Sequence, residues 1–200
     1  MIEHVAICGM GPSRKRLNCE VVQSEGGEVF GLPWDPLSHR YDVHFEMHDR
    51  SIWETRGEEY LAQLQESPTP TLMQAEYEDI RNSVEYPLGE VIARLGRDYF
   101  ACSPAYMIGY AMLCNPRRVS IWGVDYANPE QWMYEKPCLE YMIGLLIGRG
   151  VDVFVPPEST LLSFHPDIEY NGQVIHYGER YGYLPQGASE QGSARAEHTA

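Results

Sequence analysis

The chain has 200 residues, 44% of them hydrophobic, and a formal net charge of −14. That length holds one domain, or one domain with a small appendage, and the apolar share supports a real core. The acidic balance argues against a general nucleic-acid binder, which needs basic surface to displace counterions. It leaves room for a local basic cluster such as Arg14-Lys15-Arg16.

The apolar run Val5-Ala6-Ile7-Cys8 predicts a first strand over residues 2–8. A parallel strand buried on both faces has this unbroken apolar character, so it is expected inside the sheet. Residues 14–24 read as a polar connection, followed by strands over 28–32 and 42–48. Tyr60, Leu61 and Leu64 at helical spacing predict a helix over 54–65, ending before Pro68. A short strand follows at 71–74, then a helix at 88–95. Ser103 is read as the cap and Pro104 as the first residue of an apolar helix reaching Leu113. Strands are expected at 119–123 and 151–155, with a helix over 137–148 between them. Residues 168–177, with Asn171-Gly172 at the turn, predict a hairpin.

This alternation predicts an α/β, Rossmann-like, mainly parallel sheet with helices on both faces and a short C-terminal β-hairpin extension. The expected divisions are a nucleotide-binding domain over 1–163, the hairpin extension over 164–185 and a disordered tail over 186–200. The tail is Gly, Ser, Ala, Glu and Gln, with little apolar surface to offset ordering entropy. Five cysteines, with no Cys-x-x-Cys pair, point to reduced thiols in a cytoplasmic protein rather than to disulfides or zinc. Glu3 and His4 break any signal-peptide start, and no apolar run approaches a membrane span.

In such sheets ligands sit beyond the carboxyl ends of the strands. The first of these ends is Gly9-Met10-Gly11-Pro12-Ser13-Arg14. Its glycines permit a sharp turn and close approach to a phosphate, or serve only as a tight strand exit. The dinucleotide fingerprint is incomplete, since Arg14 stands where the third glycine would be. Glu46 and His48 lie two apart on a strand, so both face the same side. They are candidates to deprotonate an acceptor hydroxyl, or simply a polar strand end. Asp125, at another strand end, suits a ribose hydroxyl, a divalent metal or a turn.

Gly9-x-Gly11-Pro12-Ser13 resembles the opening turn of bacterial sialyltransferases that use CMP-sialic acid. Ser103-x-x-Tyr106-Met107, the segment Val119-Ser120-Ile121-Trp122-Gly123-Val124-Asp125-Tyr126, Cys138-Leu139-Glu140-Tyr141 and Pro157-Glu158-Ser159-Thr160 resemble further blocks of that family, in the same order. The Gly-Pro-Ser turn and Gly-x-Asp strand end are also similar to 6-hydroxymethylpterin diphosphokinases, and the layout to small phage proteins. The resemblance implies a transferase with a nucleotide-linked donor held by Gly11, Pro12, Ser13, Trp34 or Asp35, and Ser103. Gly9 and Arg14 are read from the same turn as further candidates to hold the phosphate. The family's histidine base is missing, because residues 128–135 contain none. His48, Glu46 and Asp125 are therefore the expected catalytic groups. The alternatives are a magnesium-dependent diphosphokinase and a non-catalytic nucleotide-binding or scaffold protein. No metal ligands are assigned, and a homo-oligomer stays open.

Overall fold

The computed structural model describes residues 2–126, 131–163, 167–170 and 173–176. The chain divides into two units, Met1–Leu161 and Leu162–Ala200. The expected tail from residue 186 lies outside the described residues.

The first unit is built on seven parallel strands. They are β1 (His4–Cys8), β2 (Glu28–Gly31), β3 (Val43–Glu46), β4 (Thr71–Met73), β5 (Ser83–Glu85), β6 (Arg118–Trp122) and β7 (Asp152–Phe154). Their order is β5-β4-β3-β2-β1-β6-β7, so β1 lies inside the sheet between β2 and β6. The chain winds from β1 to β5 in one direction, then returns past β1 to β6. The seam between β1 and β6 is thus the topological switch point, where open α/β sheets have their crevice.

The period-two alternation of strand side chains divides the core into two layers. Val5 and Ile7 of β1, Phe30 of β2 and Phe45 of β3 face one side. There they meet α4 (Leu88–Leu95), α5 (Ser103–Cys114) and α6 (Lys136–Gly148) through Val91, Ile108 and Leu139, all fully buried. Ala6, Cys8 and Val29 face the other side, against Val22 of α1 (Cys19–Ser24). Farther along, Met73 packs with Trp53 of α2 (Arg50–Trp53) and with Tyr60 and Leu64 of α3 (Glu58–Glu66). Helices therefore cover both faces, as the alternation of elements implied.

Several elements differ from the sequence reading. The polar connection over 14–24 holds a 3-10 turn, Pro12–Arg16, and then α1. Asn18 caps α1, its side chain accepting from the Val21 N–H. The helix expected at 54–65 is interrupted: Gly57, at φ 104°, separates a 3-10 turn, Glu54–Arg56, from α3. Ser103 is not the cap of α5 but its first residue, with Cys102 in the cap position. β5 went unread because it is a three-residue edge strand with Val84 and Glu85 exposed, too short to show a period.

In the second unit, β8 (Asp167–Tyr170) and β9 (Gln173–His176) pair antiparallel, with Ile168 opposite Ile175. This is the strand pairing expected over 168–177; the turn expected at Asn171-Gly172 lies outside the described residues.

Candidate functional site

At the switch point the loops after β1 and β6 are fastened to each other. Gly9 N–H donates to Trp122 O and Gly11 N–H to Gly123 O. A Cβ on Gly9 would lie 2.5 Å from Gly123 O, and one on Gly11 would lie 2.6 Å from Asp125 Oδ2. The glycines are thus required by the approach of two loops. Ser13 is buried, and its N–H and its hydroxyl each donate to Asp125 at 2.7 Å. Its oxygen also accepts from Gly123 N–H at 2.8 Å. A carboxylate of the chain itself therefore occupies the donors that Ser13 offers.

The neighbouring strand end repeats this pattern. Asp35, 1% exposed, takes Arg14 Nη1 at 2.7 Å and the Tyr41 hydroxyl at 2.9 Å on one oxygen. Its other oxygen accepts from Leu37 N–H. Tyr41 is held protonated, because burial and the adjacent thiol of Cys8 and carboxylate of Asp35 push its ionisation up. Arg14 is the half-buried, solvent-reaching end of this network.

A second cluster forms where β3 ends. Glu46 is fully buried, its side chain on the α3 face of the sheet. Its Oε1 accepts from His48 Nδ1 at 2.5 Å and from the His48 backbone N–H at 3.2 Å. Its Oε2 accepts from the Tyr60 hydroxyl at 2.5 Å. Burial, with Glu46 alongside, raises the Tyr60 ionisation and keeps the phenol a donor. Arg56 stacks over the Trp34 ring at 4.0 Å, and its Nη2 approaches His48 Nδ1 at 3.2 Å. Arg56 can only donate and Glu46 can only accept, so the two compete for Nδ1. The shorter 2.5 Å contact to the buried carboxylate outweighs the 3.2 Å approach of Arg56, and Nδ1 is assigned the proton that it gives to Glu46. Nε2 is left as a lone pair with no partner among the described residues. The His48 side chain is 39% exposed.

His48 lines a cavity of about 200 Å³ together with Met47, Phe100, Ala101, Cys102, Ser103 and Tyr106. Phe100 and Tyr106 are stacked, centroids 4.6 Å apart, and form an aromatic wall. The start of α5 supplies Cys102 and Ser103. Burial pushes the Cys102 thiol up to about 12, so it is no thiolate nucleophile at neutral pH. Cys102 Sγ lies 3.6 Å from the hydroxyl of Tyr126, which follows Asp125. One chain of contacts thus runs from the switch point to the cavity.

The expected residues therefore fall into two groups. His48 and Ser103 line the cavity, with Glu46 buried behind His48. Gly9, Gly11, Pro12, Ser13, Arg14, Asp35 and Asp125 lie at the ends of β1, β2 and β6, where Ser13 is bonded to Asp125 and Arg14 to Asp35. Among the described residues, no three His, Cys, Asp or Glu side chains gather where they could hold a metal ion. Tyr60 and Arg56 were not foreseen. Tyr60 read as an apolar helix position, although a buried tyrosine hydroxyl needs a partner, and that need was the available signal.

The arrangement can be set beside known proteins. A solved structure of the sialyltransferase CstII from Campylobacter jejuni, in complex with the substrate analogue cytidine-5'-monophosphate, matches 92% of this chain and 100% of its own. The TM-score is 0.51 and the identity 13%. The chain has a sialyltransferase-like fold. A point mutant described as an alpha-2,3/8-sialyltransferase CstII matches at TM-score 0.48 and 12% identity, covering 96% of this chain and 99% of that one. No protein-family model matches this chain, and no curated protein matches it in sequence. The resemblances to diphosphokinases and to small phage proteins gain no support from these comparisons. Among the described residues, no helix is long and apolar enough to cross a membrane.

Proposed function

We propose that this protein is a glycosyltransferase-like enzyme that moves a group from a nucleotide-linked donor to an acceptor hydroxyl. The observation that carries this reading is the His48–Glu46 pair, with Nδ1 bonded to a buried carboxylate and the ring on a cavity wall. A positioned imidazole of this kind contributes about 10²–10⁴-fold to a proton-transfer step. In the reaction, Nε2 takes the proton of the acceptor hydroxyl. The oxygen then forms its bond to the donor carbon as that carbon's bond to the phosphate oxygen breaks. The electron pair leaves with the nucleotide phosphate.

The donor is assigned to the ends of β1 and β2, along Gly9, Gly11, Pro12, Ser13, Arg14 and Asp35, with Ser103 toward the cavity. What supports this placement is the switch point beside it. A phosphate there exchanges one anion for another, competing with Asp125 for Ser13 and with Asp35 for Arg14. Asp125 holds the turn through Ser13 until the donor phosphate takes its place, and no proton transfer is assigned to it. The fold also occurs in a protein solved with cytidine-5'-monophosphate, which agrees with a nucleotide-type ligand. The diphosphokinase alternative needs converging carboxylates for magnesium. The described residues do not gather that way, since Asp125 is engaged by Ser13.

A second reading has its own support. Because Ser13 and Arg14 are satisfied by the chain's carboxylates, the protein can equally be a non-catalytic scaffold of this fold. A panel of nucleotides and nucleotide sugars, followed by thermal shift and then by mass-spectrometric detection of transfer, separates the two. A stabilising nucleotide and a transfer product that is lost in His48→Asn support the enzyme. Stabilisation with no transfer from any donor favours the binding protein. No stabilisation by any nucleotide overturns the enzyme reading and favours a scaffold that binds none, as the satisfied Ser13 and Arg14 imply.

A further inference from the structure

We propose that Tyr60 is a positioning residue for His48, fixing through Glu46 the imidazole tautomer whose Nε2 is the base. This rests on the reading of His48 as that base, but its physical content is independent of any reaction.

The argument follows the protons. Tyr60 comes from α3, and its hydroxyl meets Glu46 Oε2. The phenol is buried and its ionisation is raised, so it gives a proton to that bond and does not receive one. Glu46 has no access to water, so its carboxylate relies on its protein partners. With Oε2 taken by Tyr60, Oε1 stays turned toward the end of β3, where the backbone N–H and Nδ1 of His48 converge on it. Remove the Tyr60 hydroxyl, and one carboxylate oxygen is left buried without its donor. The carboxyl then gains by rotating or tilting away from His48, and Nδ1–H loses its fixed acceptor.

Trp34 makes the linkage mechanical as well. Its ring is 5.9 Å from that of His48 and 6.2 Å from that of Tyr60, so it packs against both. Arg56 closes the group from the solvent side, its Nε 4.0 Å from Glu46 Oε2. At that distance it lends charge but no hydrogen bond, which leaves Tyr60 as the side chain that holds Oε2. The same logic governs metal-bound histidines, whose tautomer is set by what the other ring nitrogen donates to.

The test is a two-bond ¹⁵N–¹H correlation spectrum of the histidine rings at mildly alkaline pH, with His48 assigned by the loss of its signals in His48→Asn. The parent protein should show His48 with its proton on Nδ1. In Tyr60→Phe the ratio of the two tautomers should fall by about five- to tenfold, the worth of one hydrogen bond. Glu46→Gln should reverse the ratio, because an amide N–H can donate to Nδ1. A parent spectrum with mixed tautomers overturns the proposal without any variant. So does a Tyr60→Phe protein, folded by circular dichroism, whose ratio is unchanged. If the ratio responds but no nucleotide donor is ever turned over, the positioning stands and the transferase reading falls. If transfer is found and the ratio does not respond, the reverse holds.

Discussion

Ser13 gives both of its donors to Asp125: backbone N–H and hydroxyl lie 2.7 Å from the two oxygens of one carboxylate, 112 positions along the chain. The bond joins the exits of β1 and β6, so it fastens the sheet where the winding reverses. It also makes Ser13 a structural residue in the unliganded protein, whatever it contacts when a nucleotide is present.

Ser13→Ala should therefore lower stability by about 1.5–3 kcal/mol, the range for a hydrogen bond to a charged partner. The loss exceeds that of a simple helix cap, because Gly123 N–H is left without its acceptor. Asp125→Ala should cost at least as much, and the double variant less than the sum of the two, since they share the hydroxyl–carboxylate bond while each also loses one bond of its own. Urea denaturation of the four proteins measures the cycle. Additive losses would show that Ser13 and Asp125 act separately.

Gly123 has φ +64°, and a Cβ there would lie 2.4 Å from Gly9 O. Gly123→Ala has to strain the backbone and push the two loops apart at once. A loss above about 3 kcal/mol is expected, enough to unfold a marginal domain. Gly144→Ala is the control, because nothing lies within 4 Å of a Cβ there. It should hold or gain stability, as alanine is the better helix former.

Much of this fold was legible in the sequence, and the reasons are specific. Val5-Ala6-Ile7-Cys8 reads as an interior strand because both of its faces are covered, leaving no polar alternation. The helix at 88–95 has Val91 and Leu95 on one buried stripe, and its end is marked by Gly96 in the left-handed conformation. The site was only partly legible. Glu46 and His48 are two apart and read as one face of a strand over 42–48, but β3 ends at Glu46, so their bond belongs to the turn that follows the strand. Their partner Tyr60 lies on a later helix, and the link is a tertiary contact that no spacing encodes. The glycines at 9 and 11 fit two readings from sequence, phosphate approach and loop approach. Only the facing loop at Gly123 shows that the second requirement is already present.

His44 is buried on β3, with Nε2 donating to Ser38 O at 3.0 Å and Nδ1 without a hydrogen-bond partner among the described residues. Burial lowers its pKa from the ordinary imidazole value. His4 is lowered too, by burial and by Arg118. Below the unfolded imidazole pKa of about 6.5 the unfolded chain then binds more protons than the folded one. Stability should fall as pH drops through that range, and the two histidines should contribute no slope above it. Denaturant midpoints between about pH 7.5 and 5.5, above most carboxylate titration, give the slope. His44→Leu should flatten it. An unchanged slope would mean that His44 is not the group that titrates.

The base is the residue on which the functional reading turns. His48→Asn removes Nε2 while keeping a polar side chain that can still donate to Glu46. It touches none of the groups at the ends of β1 and β2 to which the donor phosphate is assigned. The expected result is a split. Nucleotide stabilisation in thermal shift should stay within error of the parent, while transfer to an acceptor hydroxyl falls by about 10²–10⁴-fold. Ser13→Ala and Arg14→Gln should show the converse, losing nucleotide affinity by about tenfold or more, as charge-assisted bonds to phosphate are removed. Both sets of variants are needed. If His48→Asn abolishes nucleotide binding as well, the imidazole contacts the donor and is not the acceptor's base. If His48→Asn leaves the transfer rate intact, proton removal occurs elsewhere, and the cavity beside Phe100 and Tyr106 loses its claim to the acceptor.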